Sequence, residues 1–458
     1  MIEKNQTRKL IDRPTNRKVI GVKWVYKAKQ NADGSFNKLK ARLVVKSFSQ
    51  KYGLDYFETY VPVARLDTIR LIVAYAAHMH WNVYQLDIKS AFLNRILDEE
   101  IYVEQPQGFE VPGKEDMVCK LRKALYALKQ APRAWYARID TYLLSLDFQK
   151  SVSEPTLYIK KNNTETQLVV SLYVDDLLVT GGDEAVLTDF KTKMKKMFEM
   201  TDLGLMTYFL GTRRNFLETE IICLKNFNKV FDAELCLIGC LLYLTAMRPD
   251  IMFAVSLLSR FMHCCNVLHF QAAKRVLRYI KGTLNHGLLF SKAEKLKLTG
   301  YTDSDCAGSK DDMKSTSGYA FTLGSAMVYW STKKQSLVAQ LIAETEYIAA
   351  ASAVNQAIWL RKVLTDLNLF QEEATEIFCD YKSAVAIAKN PVFYGKTKHF
   401  DIKLHVIREM EQACEIKLVH CNSEDQIADI LTKGLGMSRF NKLRKLLGVC
   451  SMELKEEC

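Results

Sequence analysis

Residues Leu168–Thr180 read LVVSLYVDDLLVT, two apolar runs that meet at an adjacent acid pair, Asp175 and Asp176. Apolar residues on both sides predict two buried strands, and the polar break between them predicts a tight turn. Two carboxylates at a hairpin tip repel each other unless a cation sits between them. Oxygen ligands of this kind suit hard divalent ions such as Mg²⁺. A hairpin turn also tolerates Asp on conformational grounds alone, so the tetrapeptide gains meaning only from its surroundings.

Upstream, Tyr84–Asn94 reads YQLDIKSAFLN and puts Asp87 at the end of an apolar strand, followed by small residues. If Asp87 and Asp175 share two metal ions, they can align a 3′-hydroxyl with an incoming triphosphate. One ion would lower the hydroxyl's pKa and the other would neutralise the leaving pyrophosphate. Around these segments the pattern predicts a hairpin from Val19 to Val45 turning at Asn31–Gly34, an amphipathic helix at 67–80 and a strand at Val83–Asp87. Residues 120–147 read as helical, with Pro132 as a break or first turn, and a helix is expected through Thr188–Phe198. Asn215–Cys240 shows weak periodicity and reads as an irregular bridge, followed by helices at Cys240–His263 and Phe270–Lys281.

Bulk properties narrow the class. At 458 residues, 48% apolar and 25% charged, the chain suits two or three ordinary globular domains. No apolar run reaches membrane-spanning length, and MIEKNQTRKL has no hydrophobic core segment of a secretory signal. The expectation is an intracellular protein without a membrane partner. Twelve cysteines form no paired metal framework and read as free thiols. The net charge of +12 points to a polyanion, and residues 1–51 carry fourteen Lys/Arg against three acids.

From Lys297 a second α/β unit is expected, with four spaced acidic motifs. Tyr301–Asp305 (YTDSD) lies on a strand and Ala343–Ala350 (AETEYIAA) on a helix. Cys379-Asp380 falls at a strand end, and Gln426–Lys433 (QIADILTK) opens the last helix. Asp303 and Asp305 face the same way on a strand, so spacing leaves both open. Glu344 and Glu346 point apart on a helix, so at most one enters a shared site.

Together these segments resemble the reverse transcriptase and RNase H region of copia-type LTR retrotransposon Pol polyproteins. The resemblance is carried by KARLV (Lys40–Val44), PVARLDTIR (Pro62–Arg70), YQLDIKSAFLN, YVEQPQGF (Tyr102–Phe109), LKQAPRAWY (Leu128–Tyr136), LYVDD, MTDLG (Met200–Gly204) and TKHFDIKLHVIRE (Thr397–Glu409). It implies an α+β chain: right-hand fingers and palm at 1–211, a reduced thumb and connection at 212–296, an α/β RNase H-like domain at 297–436 and a tail at 437–458. It implies a metal site of Asp87, Asp175 and Asp176, and a second of Asp303, Glu344, Asp380 and Asp429, with Mg²⁺ (or Mn²⁺) as cofactor. Lys40, Arg42, Phe92 and Gln130 match nucleotide- or template-binding positions, Phe92 as the aromatic that crowds a ribose 2′-hydroxyl. RNA template, DNA primer, RNA–DNA hybrid and dNTPs are the implied partners. His399 and His405 are given no catalytic role.

The chain departs from this pattern in places. Ala127 stands where the family has Gly, Ser47 where it has Gly, Cys306 where it has Trp and Tyr381 where it has Asn. Leu341-Ile342 replaces a Ser pair. Ile221–Cys240 is shorter by several tens of residues than its counterpart. A methyl at 127 is expected to clash where backbone must approach substrate closely, and a shortened thumb to weaken the grip on primer–template. The contrasting readings are a non-catalytic nucleic-acid-binding relic and a structural subunit of a retroelement complex.

Overall fold

The computed structural model describes residues 5–30, 35–162, 165–206, 208–209, 212–217, 220–225, 237–389 and 401–451. The turn expected at Asn31–Gly34, residues 226–236 of the shortened stretch, and His399 lie outside them. The α+β architecture is the one expected, and it falls into two compact units that are each discontinuous in sequence. The first comprises Met1–Ala64, Tyr84–Ser151 and Pro155–Gly204; the second comprises Arg65–Val83, Val152–Glu154 and Leu205–Cys458.

The first unit is organised by a six-stranded sheet in the order Met200–Leu205, Val83–Ile88, Asp176–Gly181, Glu165–Tyr173, Leu157–Asn162 and Gln149–Lys150. The helix Ala131–Ser145 carries Pro132 in its first turn, where a missing N–H costs nothing, and buries Trp135, Ile139 and Leu143 at four-residue spacing. The helix Glu184–Met197 is capped by Asp183, whose carboxylate accepts from the N–H groups of Ala185 and Val186, and buries Leu187, Phe190 and Met194. Both apolar faces join the sheet in one core. A two-stranded ribbon, Val22–Gln30 with Phe36–Val45, and a small four-stranded sheet complete the unit.

Ala127 adopts φ +70°. A glycine at this position would be favoured by the left-handed backbone alone, which costs an L-residue about 1–2 kcal/mol.

In the second unit, Ala326–Lys334, Thr316–Leu323 and Leu298–Ser304 form an antiparallel meander, and Thr375–Cys379 and Ile416–His420 extend it in parallel. The parallel additions need crossovers, and the long helix Ile342–Asp366 supplies the first. A second sheet runs Tyr208–Phe209, Thr212–Leu217, Glu220–Lys225, His286–Ser291 and Val449–Ser451. Two of the sequence expectations change here. The segment after Asn215 is not an irregular bridge, because Thr212–Leu217 and Glu220–Lys225 pair as a hairpin whose next neighbour, His286–Ser291, is distant in sequence. The segment after 436 is no loose tail, since Met437–Leu446 is helical and Val449–Ser451 pairs with His286–Leu288.

The helix Leu66–His78 also differs from its amphipathic reading, for every residue from Thr68 to Ala77 is buried. It belongs to the second unit, where Arg70 anchors it. The Arg70 guanidinium donates to Val328 O at 2.8 Å and Ala246 O at 2.5 Å, pairs with Asp67, and lies 3.9 Å from the Trp330 ring centroid. Burial pushes the Asp67 carboxyl up, and Arg70 and then Arg65 oppose that. Removing Arg70 leaves a mostly buried carboxylate and two carbonyls without their donor. Arg70→Ala is expected to cost about 3–5 kcal/mol of unfolding free energy by urea titration. In the first unit Ala127→Gly is expected to raise the urea midpoint, by about 1 kcal/mol of stability.

Candidate active sites

In the first unit the strands Val83–Ile88 and Asp176–Gly181 lie side by side, which brings Asp87 next to the hairpin tip. Tyr173 pairs with Asp176, so Val174 and Asp175 form the two-residue turn. Val174 takes φ +56°, a left-handed conformation that a β-branched residue adopts only under constraint. Two bonds hold the turn there. The Trp135 indole N–H donates to Val174 O at 2.6 Å, and Ile88 N–H donates to Asp175 O at 2.8 Å. The LKQAPRAWY segment thus reaches the acid pair through Trp135.

The acids line a cleft of about 1110 Å³ together with Lys38, Lys40, Arg42 and Tyr126. Burial pushes the Asp175 carboxyl above its usual range and the Asp87 carboxylate adds to this, against relief from Lys40 and Arg42. Asp176 is turned aside, its Oδ1 accepting from Gln85 Nε2 at 3.2 Å. Among the described residues the acid groups with three donors within 4.8 Å of one another all lie in the second unit, so the palm acids do not converge as tightly.

Lys40 and Arg42 stand at the cleft as expected, while Phe92 and Gln130 do not line it. Phe92 packs edge-on against Tyr126, with ring centroids 5.5 Å apart, and Tyr126, like Trp24 and Phe109, lines the cleft. The Arg42 guanidinium lies 5.2 Å from the Tyr126 ring centroid. Gln130 is only 3% exposed; its Nε2 donates to Asp55 O at 2.9 Å and its Oε1 accepts from Gln50 Nε2 at 3.1 Å, so it ties a loop to the start of its helix. Tyr126 lies just before the LKQAPRAWY motif, and a lone tyrosine between apolar residues gives no sign of which way it faces.

In the second unit Asp303, Asp380 and Asp429 bring one carboxylate oxygen each within 4.8 Å, and Glu346 and Asp380 form a second such group with Cys379. Glu346, not Glu344, is the helix residue that enters. Its carboxylate accepts from Ser304 N at 3.3 Å and from the Cys379 thiol at 3.9 Å. Glu344 instead sits in the first helical turn and accepts from the N–H groups of Gln340 and Leu341, a reach back that satisfies helix-end donors. The sequence contained a signal for this. From Glu346, steps of four, seven, eleven and fourteen residues reach Ala350, Ala353, Ala357 and Leu360, all fully buried, so Glu346 heads the inward stripe.

Asp303 is likewise chosen over Asp305. Asp303 is 1% exposed, whereas the Asp305 carboxylate closes a turn by accepting from Thr316 N at 2.5 Å. Asp429 lies on a short 3-10 turn, Ile427–Leu431, rather than at the start of the last helix. Its seat beside Asp303 depends on Gly318, the residue paired with Asp303, where a Cβ would lie 2.6 Å from Thr432 Cγ2.

Three groups missed from sequence fix these acids. Thr432 Oγ1 donates to Asp303, the Arg439 guanidinium pairs with Asp429, and Lys433 Nζ lies 2.8 Å from Asp429 Oδ1 and 3.6 Å from Asp303 Oδ1. An all-oxygen set of buried carboxylates fits a hard divalent cation.

A family model described as reverse transcriptase (RNA-dependent DNA polymerase) matches residues 5–236. The chain belongs to the reverse transcriptase family. It is 37% identical, over 98% of its length, to the retrovirus-related Pol polyprotein from the tobacco (Nicotiana tabacum) transposon TNT 1-94, of which it covers 37%. It is also 37% identical, over 95% of its length, to the corresponding polyprotein from transposon RE1 of Arabidopsis thaliana, of which it covers 32%. The chain therefore spans about a third of the length of these curated relatives, and the match runs through its RNase H-like region. The tobacco alignment occupies 493 positions against the 458 residues present here, so the relative has positions that this chain lacks.

A foamy viral protease-reverse transcriptase in complex with double-stranded DNA shares the fold, with TM-score 0.52 and 12% identity over 92% of this chain and 68% of that one. The foamy viral enzyme in complex with RNA/DNA hybrid gives TM-score 0.52 and 11% identity, covering 95% of this chain and 54% of that one.

The acid cluster of this reverse transcriptase relative makes its stability pH-dependent. Burial, then mutual repulsion, pushes Glu346 above the usual carboxylate range; burial also raises Asp303, with Lys433 opposing and Asp429 adding to the rise. A raised carboxyl binds more protons in the folded chain than in the unfolded one above about pH 4, so stability falls as pH rises from there through the raised values. In EDTA the thermal midpoint is expected to fall between about pH 5 and pH 8, and Asp303→Asn to flatten that slope.

Proposed function

We propose that this chain extends a DNA primer on an RNA or DNA template and cleaves the RNA strand of the resulting hybrid, with Mg²⁺ as cofactor. The observation that carries the reading is that Asp87 and Asp175 line one cleft together with Lys40 and Arg42. The Asp175 carboxyl, pushed above its usual pKa by burial and by the neighbouring Asp87, favours a divalent cation as a third party. Cationic side chains facing them favour a phosphate-rich substrate spanning the gap.

Within the first unit, Asp87 and Asp175 would hold the metal, and bound Mg²⁺ would supply charge neutralisation and a more acidic 3′-hydroxyl. The Val174 turn, clamped by Trp135, fixes the Asp175 carboxylate relative to Asp87. Lys40 and Arg42 would meet the triphosphate, and Arg42 Nε is buried without a hydrogen-bond partner, a donor available to an incoming anion. Tyr126, with Phe92 behind it, would form the cleft wall against the sugar. In the second unit Asp303, Glu346, Asp380 and Asp429 would hold the metal beside a scissile RNA phosphate.

Primer extension and hybrid cleavage measured in one Mg²⁺-containing reaction test this directly. Asp175→Asn is expected to lower extension about 100-fold or more while leaving cleavage intact, and Glu346→Gln to do the reverse. Glu344→Gln should leave both activities near wild type. A wild-type chain that neither extends nor cleaves would favour a structural or binding role instead.

A further inference from the structure

Lys433 occupies an unusual place for a lysine. Its ammonium stands between two carboxylates that are each 1% exposed, Asp303 and Asp429, while its own side chain remains 41% exposed. The residue follows Thr432, which donates to Asp303, and the same Asp429 is held on its other oxygen by Arg439. Asp380 completes the surroundings and adds negative charge. Three or four carboxylates this close, without a metal, require a cation to remain ionised together.

We propose that Lys433 is the resident counter-ion of this cluster, holding Asp303 and Asp429 in place when no metal is bound and leaving that position when a divalent ion enters. The inference rests on the reading of the cluster as a metal centre. Two features make the exchange feasible. The charge is carried on a flexible four-carbon stem with an open path to solvent, so the ammonium can withdraw without unfolding its backbone. Arg439 and Thr432 grip Asp429 and Asp303 from other directions, so the carboxylates keep their positions when Lys433 leaves. A divalent ion then competes with an internal monovalent one, and its apparent affinity is reduced by the free energy of displacing the lysine.

The test is Mn²⁺ binding to the full chain, read by the loss of the free-ion electron paramagnetic resonance signal, with the thermal midpoint in EDTA measured in parallel. Asp303→Asn defines the share of Mn²⁺ uptake that belongs to this cluster. At that share, Lys433→Met and Lys433→Gln are expected to bind Mn²⁺ about tenfold more tightly than wild type, the size typical of coupling between two sites. Both should also show a lower midpoint in EDTA at pH 8, restored by Mn²⁺, whereas Lys433→Arg should retain the wild-type affinity and midpoint. If the neutral variants bind Mn²⁺ no more tightly than wild type at the Asp303-dependent share, the counter-ion role is overturned and the metal centre stands. If Asp303→Asn leaves Mn²⁺ uptake unaltered, the metal centre itself falls and the role of Lys433 falls with it.

Discussion

Carboxylates removed from water repel one another, and the arrangement of the second unit follows from that constraint. Asp303, Glu346, Asp380 and Asp429 come from a strand, a helix, a strand end and a 3-10 turn, so no local preference assembles them. Their closeness requires Gly318, the small-residue stripe below Glu346, and cations at Lys433 and Arg439. Each feature lowers the cost of holding like charges together, and together they leave a set of oxygens suited to a divalent ion.

The first unit meets a similar demand with backbone strain. Val174, Ser90 and Ala127, all non-glycine residues around the cleft, adopt positive φ. Such conformations persist only when the surroundings over-determine them. At Val174 the surroundings are Trp135 and the Ile88–Asp175 backbone bond. At Ala127 the chain keeps the conformation that the family serves with glycine and bears the strain of a methyl group. The substitution therefore bears on stability through the backbone.

Sequence order and spatial grouping diverge in this chain. The helix Leu66–His78 lies within the region that matches the reverse transcriptase family, yet it is fastened by Arg70 to Val328, Ala246 and Trp330 of the second unit. The last strand, Val449–Ser451, pairs with His286–Leu288 and closes the sheet that begins near Tyr208. Residues 437–451 are thus structural, and Arg439 among them reaches the acid cluster directly.

The sequence by itself determined most of the strands, the helices with clear caps and stripes, and the family. Those features are local: an apolar run, an Asp at a helix start, a motif of fixed spacing. Only the tertiary structure decided between Glu344 and Glu346, turned Gln130 away from the cleft, put Tyr126 there in front of Phe92, and placed Lys433 among the acids. It also converted the stretch after Asn215 into a hairpin. These outcomes depend on partners distant along the chain, such as Lys433 for Asp303, or His286–Ser291 for Glu220–Lys225. Charge and hydrogen bonding act on distance in space, and a single sequence states only distance along the chain.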